Sequence, residues 1–191
     1  MADDRVRSSR SGLDKGIYIL FEILEVAILS LTSVFLVSVF LYKQVTVNGD
    51  SMFPTLHDKD RVLLMKYILS QPKNGDIVVV TNARIPGHEN LIKRIIASGG
   101  QKIRVDAKKG EVYVDGVLQN EPYIKEPTKT LMDLKNNVEV LIPPDCYFVM
   151  GDARNDSTDS RAAIVGFVSR KNLLGKVYYI VMPFSRFRWL Y

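Results

Sequence analysis

The feature that most restricts how this chain can fold is a long apolar segment near its N-terminus. Residues 17–42 are strongly apolar, and residues 26–42 contain no charged side chain. The length of this uncharged stretch is near the lower limit for a helix that crosses a bilayer, and the apolar turns before it make the span long enough. No Ala-x-Ala-like site follows, because residues 43–47 read Lys-Gln-Val-Thr-Val. The segment therefore predicts an uncleaved transmembrane anchor rather than a removed targeting peptide.

The charges on either side of this segment predict its orientation. Residues 1–16 are polar and carry the basic side chains Arg5, Arg7, Arg10 and Lys15. In residues 43–57, directly after the span, the only Lys or Arg is Lys43. Since basic flanks stay on the cytoplasmic side, we predict a cytoplasmic segment at 1–16, a single-pass anchor in the cell membrane at 17–42, and an extracytoplasmic domain at 43–191.

Two carboxylates interrupt the apolar segment. Glu22 and Glu25 are three positions apart and therefore share one face of a helix. Either they lie near the inner interface and reach water, or they contact another membrane protein. The sequence leaves both interpretations open.

Composition restricts the possible functions. The net charge of +5 is modest and the basic residues are spread along the chain, which argues against nucleic-acid binding and fits a surface beside anionic lipid. The lone cysteine, Cys146, forms no internal disulfide and fits a buried strand better than a reactive thiol. His57 and His88 lack metal-ligand spacing, so we predict no metal and no cofactor.

Short strands separated by turn signals make up the remainder of the chain. The turn signals are Asn74-Gly75, Pro86-Gly87, Gly99-Gly100, Lys109-Gly110, Asp115-Gly116 and Pro143-Pro144. The predicted strands are 43–48, 61–66, 76–81, 91–97, 102–105, 111–114, 139–142, 147–150 and 176–181. Strands at this spacing predict a mostly β fold, a barrel-like all-β domain that follows one transmembrane helix. The polar residues 121–138 predict a surface insertion.

A serine lies on a predicted turn directly after the first strand. Residues 49–56 read Gly-Asp-Ser-Met-Phe-Pro-Thr-Leu. Gly49 permits a tight turn and Pro54 ends strand pairing, so we expect Ser51 to be exposed and backed by free backbone N–H groups. Such a serine is either a nucleophile or an ordinary turn residue.

A lysine occupies the predicted strand at 91–97. Side chains alternate faces in a strand, so Lys93 shares a face with Leu91 and Ile95, while Arg94 points the other way. Desolvation between aliphatic residues lowers the pKa of a lysine, and the neutral amine can then act as a general base. The alternative is an edge-strand lysine that merely discourages aggregation.

A polar loop at 151–161 reads Gly-Asp-Ala-Arg-Asn-Asp-Ser-Thr-Asp-Ser-Arg. It is either solvated or, since Asp and Asn offer oxygens, a calcium loop. It lacks the closing Glu of an EF-hand, however, and its arginines would repel the ion. A salt-bridged scaffold in which Asp159 pairs with Arg161 is the better interpretation.

Together these segments resemble type I signal peptidase (leader peptidase), and the resemblance covers nearly the whole chain. In order, the matching parts are the anchor, Ser-Met-x-Pro-Thr-Leu at 51–56, Lys93-Arg94 followed by Gly99-Gly100, the loop at 151–161, and the Met-Pro-Phe tail at 182–187. The short chain with a single anchor is similar to the compact Gram-positive-type members.

The resemblance implies a membrane-bound serine endopeptidase that removes signal peptides from exported precursors by a Ser/Lys dyad. Ser51 would be the nucleophile and Lys93 the general base. Ser157 would help to orient the Lys93 amine, and Asp159 with Arg161 would brace the site. Shallow substrate pockets would accept the small residues of an Ala-x-Ala cleavage site, and their lining would be Val45, Val47, Met52, Leu56 and Ile92. Precursor proteins and membrane lipid are the expected partners, and the chain is expected to be a monomer.

Three features depart from the family's pattern. Ala153 stands where Asn is usual, and Asn155-Asp156 inverts the usual order. Gly49 stands where some members have a serine whose hydroxyl completes the oxyanion hole. Here the hole would rest on backbone N–H groups, chiefly that of Ser51.

Two other classes of function fit parts of the sequence. A non-catalytic membrane-anchored β-domain would bind an extracellular partner. A Ser/Lys self-cleaving regulator would be soluble and carry a DNA-binding part, which the anchor argues against. The tail at 184–191, rich in aromatic and arginine residues, either dips into the membrane interface or packs as a terminal strand.

Overall fold

The structure, a computed structural model, describes the backbone of residues 2–67, 71–81 and 90–191, with side chains from Lys15 onward. The turn predicted at Pro86-Gly87 and the neighbouring His88 lie outside these residues. Two compact units make up the chain, one ending at Leu41 and the other spanning Tyr42–Tyr191.

The first unit is a single helix, α1 (Ala2–Leu41). Its part from Lys15 to Leu41 is long and apolar enough to cross a membrane. Hydroxyl side chains in this part bond to carbonyl oxygens of the same helix, as Thr32 does to Ile28 at 2.7 Å and Ser33 to Leu29 at 2.8 Å. Internal bonds of this kind let polar side chains lie among lipid tails without another partner.

The second unit is built from short strands, as predicted. They are β1 (Tyr42–Thr46), β2 (Arg61–Met65), β3 (Ile77–Thr81), β4 (Asn90–Ser98), β5 (Lys102–Asp106), β6 (Glu111–Val114), β7 (Val117–Leu118), β8 (Val140–Leu141), β9 (Cys146–Met150), β10 (Val168–Ser169), β11 (Leu173–Met182) and β12 (Arg188–Trp189). Two 3-10 helices, Arg170–Asn172 and Phe184–Arg186, flank β11. The mostly β fold is confirmed.

The strands form two antiparallel sheets. The larger has the order β1-β2-β11-β3-β4-β9-β10, with β12 paired to β11, and the smaller has the order β7-β6-β5-β8. Among the described strands the pairing does not return from β10 to β1, so the predicted barrel is not closed. The turn at Gly99-Gly100 carries the chain from β4 into the smaller sheet, and β10 has only two residues with which to extend the larger one.

The centre of the larger sheet is apolar on both faces. In β3 the residues Ile77, Val78, Val79 and Val80 are all buried, because β11 and β4 flank this strand and packed side chains cover each face. Its neighbour β4 lies between β3 and β9, and its residues from 92 to 97 are buried without interruption. A charged residue in that run is therefore taken out of water whichever way it points.

Close packing between β11 and β2 generates a stability prediction. A methyl group added at Gly175 would lie 2.4 Å from the carbonyl oxygen of Met65 and 2.8 Å from Leu64 Cδ1. We expect Gly175→Ala to lower the free energy of unfolding of the β-rich unit by about 1–3 kcal/mol, because overpacking forces the strands apart. Urea denaturation measures the change. Gly16→Ala adds the same methyl group where no atom lies within 4 Å, and equal losses in both variants would contradict the packing argument.

Candidate active site

Ser51 lies on the loop between β1 and β2, residues 47–60, which we call the serine turn. Gly49 has φ +87, a conformation that glycine adopts without strain, and its N–H donates to Asp58 Oδ1 at 2.7 Å. The backbone N–H of Phe53 donates to the carbonyl oxygen of Asp50 at 2.9 Å. These bonds hold Ser51 in a half-buried position at the surface of the second unit.

Lys93 lies in the middle of β4 and contacts Ser51. The distance between Lys93 Nζ and Ser51 Oγ is 2.6 Å, and Lys93 is only 3% exposed. Val78 is its partner in the strand register and belongs to the same hydrophobic cluster as Leu91 and Ile95. The predicted shared face of Lys93, Leu91 and Ile95 is thus the inner face of a central strand, and the edge-strand alternative is wrong.

Burial lowers the pKa of Lys93 to about 8, from an ordinary value of 10.5. Lost solvation is the main cause, because water no longer stabilises the ammonium form. The charges of Asp159 and Asp152 raise this pKa, and the guanidinium of Arg161 lowers it. At a pKa of about 8, roughly a tenth of the amine is neutral at pH 7.

The loop at 151–161 lies directly against the backbone of Ser51. A Cβ atom on Gly151 would lie 2.4 Å from the Ser51 carbonyl oxygen and 2.3 Å from Ser157 Oγ, so this position has no room for a side chain. The backbone N–H of Ala153 donates to the same Ser51 carbonyl oxygen at 3.1 Å. Ala153 itself is fully buried.

Asp159 connects the parts of this loop. Its carboxylate pairs with Arg161 at 2.8 Å, and both side chains are fully buried, so the predicted ion pair is confirmed. It also accepts bonds from the Gly151 N–H at 3.0 Å and from the Ser157 hydroxyl at 2.9 Å. Because the Ser157 hydroxyl donates its proton to Asp159, Ser157 Oγ could interact with the Lys93 amine only as an acceptor. The role of Ser157 in orienting Lys93 stays a prediction.

A second buried ion pair joins β4 to the loop. Arg94, which follows Lys93, donates to Asp152 from Nε at 2.9 Å and from Nη2 at 2.7 Å. The hydroxyl of Thr55 also donates to Asp152 Oδ2, and the Tyr123 ring lies 3.9 Å from the Arg94 guanidinium carbon. No sequence motif predicted a role for Arg94, Asp152 or Thr55. The only local signal for Arg94 and Asp152 was their place in the motifs, where Arg94 follows Lys93 and Asp152 follows Gly151.

The segment at 121–138 is irregular, but it is more than a surface insertion. Glu121 forms a bidentate pair with the fully buried Arg154, at 2.6 and 2.8 Å, and the buried Thr128 accepts from the same guanidinium at 2.9 Å. Asn155 Oδ1 accepts backbone N–H bonds from this segment at 2.9 and 3.0 Å. The inverted Asn155-Asp156 order thus supplies an amide oxygen that ties the segment to the loop.

The five predicted pocket residues belong to one hydrophobic cluster. It contains Val47, Met52, Leu56 and Ile92, with Val45 packed against it. Met52 and Leu56 are 1% and 0% exposed, so they present almost no surface to a substrate and could only pack beneath residues that line a pocket. The burial confines direct lining chiefly to Val45 and Ile92, and the pocket itself stays a prediction.

Other features of the second unit lie apart from Ser51 and Lys93. A cavity of about 210 Å³ is lined by Leu134, Val140, Phe148, Arg161 and Phe167 among others, and by neither Ser51 nor Lys93. Among the described residues, no group of three His, Cys, Asp or Glu side chains could hold a metal ion. Cys146 is a free, partly buried thiol packed against a hydrophobic cluster.

The chain is similar to known proteins over most of its length. The sequence model of signal peptidase, peptidase S26, matches residues 20–182. Signal peptidase I P of Bacillus subtilis subsp. natto is 34% identical over 168 residues, which are 84% of this chain and 88% of that protein. Signal peptidase I of Bacillus amyloliquefaciens is 36% identical over 159 residues, 78% of this chain and 80% of that protein. A crystal structure of a signal peptidase I from Enterococcus faecalis V583 is 24% identical with a TM-score of 0.45, over 56% of this chain and 97% of that chain.

The matched region begins within the apolar helix and includes the serine turn, the lysine strand and the polar loop. The resemblance drawn from three separate motifs in the right order is therefore confirmed. By the extent of these matches, the chain belongs to the signal peptidase family, peptidase S26.

Proposed function

We propose that Ser51 is the nucleophile and Lys93 the general base of this enzyme. The observation that carries the proposal is the 2.6 Å contact between Ser51 Oγ and Lys93 Nζ. The base is buried, with a pKa of about 8, so an appreciable fraction is neutral near physiological pH. A nucleophile within hydrogen-bond reach of a base of suitable pKa is the arrangement that acyl transfer requires.

The reaction follows from that geometry. Neutral Lys93 takes the proton from Ser51 as Oγ attacks the carbonyl carbon of the scissile peptide bond. The ammonium then gives this proton to the departing amine, and the peptide C–N bond breaks to leave an acyl-enzyme. A water molecule loses its proton to Lys93 and attacks the acyl carbonyl. The Ser51 ester bond breaks, and the proton returns to Oγ.

The developing oxyanion needs donors that are not already engaged. The Ser51 backbone N–H donates to no acceptor among the described residues, so it is available for this purpose. The Gly49 N–H is occupied by Asp58 at 2.7 Å. Preorganised backbone donors of this kind stabilise the tetrahedral intermediate, and we assign the Ser51 N–H as the first of them.

The chain is a membrane-bound serine endopeptidase that removes signal peptides from exported precursors, as its family membership establishes. No observation favours the non-catalytic β-domain. The apolar helix makes it a membrane-anchored protein. We further propose that residues 1–16 are cytoplasmic, that 17–42 span the membrane, and that 43–191 act outside as a monomer beside lipid, with no nucleic-acid partner.

Replacing Ser51 tests the proposal directly. Purified protein in detergent is mixed with a precursor bearing an Ala-x-Ala site, and mass spectrometry locates the cut. We expect Ser51→Ala to abolish cleavage, because no other group would form the acyl-enzyme. Ser169→Ala, a serine replacement in β10, serves as a control and should retain activity. Undiminished cleavage by Ser51→Ala would exclude Ser51 as the nucleophile.

The pKa of Lys93 predicts the pH dependence of cleavage. The neutral amine is the active form, so activity should rise as pH increases through about 8, by about tenfold from pH 7 to pH 9. Lys93→Arg should be folded by circular dichroism but inactive, since arginine stays protonated at usable pH. Lys102→Arg, at an exposed ion pair, is the matched control. Wild-type turnover in a folded Lys93→Arg enzyme would remove the general base from the mechanism.

The proposed pocket predicts which residue precedes the cut. We propose that Val45 and Ile92, which pack in one cluster with Val47 and Met52, accept only a small side chain. A precursor with Phe in place of the Ala before the cut must overpack this region, typically at about 1–3 kcal/mol. We expect kcat/KM to fall by about 5- to 150-fold. Equal rates for the Ala and Phe precursors would refute the pocket assignment.

The orientation of the anchor is tested in whole cells. Basic residues precede the span, so the large domain should lie outside. Protease added to intact, wall-stripped cells should digest residues 43–191, as detected with an antibody against that domain. Protection until the membrane is opened would show the opposite orientation.

A further inference from the structure

The C-terminal segment, residues 183–191, folds back onto the unit that carries the proposed active site. After β11 it forms the turn Phe184–Arg186 and returns as β12, in which Trp189 pairs with Tyr179. Leu190 packs against the cluster that holds Met52 and Leu56. The segment thereby reaches the back of the serine turn, and its two arginines have contacts that the proposed mechanism does not use.

Arg186 binds the end of the serine turn, and we call the contacts of Arg186 and Arg188 with this turn the C-terminal clasp. Its Nε lies 3.0 Å from Asp60 Oδ1 and its Nη2 lies 3.0 Å from Asp60 Oδ2. Asp60 is only 1% exposed and also accepts the His57 backbone N–H at 2.9 Å. Arg186 Nη1 is 3.1 Å from His57 Nε2. One guanidinium therefore holds two residues of the same turn, and it neutralises a carboxylate that is expensive to leave buried alone.

Arg188 forms the second half of the clasp. Its Nη2 donates to the carbonyl oxygen of Thr55 at 2.6 Å. The Thr55 hydroxyl donates in turn to Asp152, and Asp152 is bound by Arg94, the residue next to Lys93. The serine turn is thus fixed on one side by the C-terminal segment and on the other by groups connected to the base.

From these contacts we infer that Arg186, assisted by Arg188, is a positioning residue for the nucleophile. It acts through Asp60, His57 and Thr55 and does not touch the reacting atoms. The short Ser51–Lys93 contact demands a fixed turn, and a small misplacement of a reacting group can cost up to about 100-fold in rate. The inference rests on the proposed function, in which Ser51 is the nucleophile.

A merely structural role makes different predictions from a positioning role. If the clasp sets the position of Ser51, its loss lowers kcat in folded protein, leaves KM nearly unchanged, and leaves the pH midpoint at its wild-type value because Lys93 stays buried. If the clasp only stabilises the fold, activity falls in proportion to the unfolded fraction, and the folded enzyme keeps its full turnover number.

The test measures kcat, KM and the pH profile of precursor cleavage for Arg186→Ala, Arg186→Lys and Arg188→Met in detergent. Circular dichroism and thermal melts give the folded fraction. We expect Arg186→Ala to lose about 10- to 100-fold in kcat, with KM within about twofold of wild type. Arg186→Lys, which keeps the charge but loses the two-pronged contact, should lie between Arg186→Ala and wild type.

Arg104→Ala is the matched control, because Arg104 stacks on Tyr113 in the smaller sheet and should keep wild-type turnover. Full kcat in folded Arg186→Ala, or a loss that equals the unfolded fraction, overturns the inference. If Arg186→Ala does not fold, the kcat of folded Arg186→Lys and Arg188→Met decides instead: a loss supports the inference, and full kcat overturns it. An active Ser51→Ala enzyme would instead refute the proposed function, so the two failures are distinguishable.

Discussion

The contact between Ser51 Oγ and Lys93 Nζ, at 2.6 Å, is the interaction on which the rest of the site depends. In the proposed mechanism this contact is useful only if the amine is neutral, and an exposed lysine is charged at neutral pH. The sheet supplies the missing condition. Because β4 lies between β3 and β9 and both its faces are covered, Lys93 is withdrawn from water at its centre. The fold therefore sets the chemistry of the lysine through burial.

Burial would not keep the pKa of Lys93 low if unpaired carboxylates surrounded it. Asp159 and Asp152 each raise that pKa, and each is bound by an arginine, Arg161 and Arg94 respectively. The Arg94–Asp152 pair also joins β4 to the loop at 151–161, and the Thr55 hydroxyl donates to the same Asp152 carboxylate. Arg161 thus serves both the geometry of the site and its charge balance, because its positive charge lowers the pKa that Asp159 raises.

Much of the strand pattern was predictable from the sequence, because alternation, β-branched runs and turn residues are local properties. The hairpin of β6 and β7 turns at Asp115-Gly116, where both residues have positive φ, as that turn signal predicts. The two-residue strands β7 and β10 were not predicted, since so short a bridge has no period to detect. The barrel-like, mostly β class was predicted, but the sequence could not show whether the sheet closes, because closure depends on which strands meet in space.

The sequence by itself determined the anchor, the serine turn and the mostly β class, since length, apolar content and local sterics decide these. Only the tertiary structure decided which distant groups meet. Lys93 reaches a serine 42 positions away, Arg154 binds Glu121 across 33 positions, and Arg186 binds Asp60 across 126. The physical reason is that sheet order and burial select those partners. The pKa of a lysine and the pairing of an arginine follow from the solvent and charges around the folded side chain, which no local pattern records.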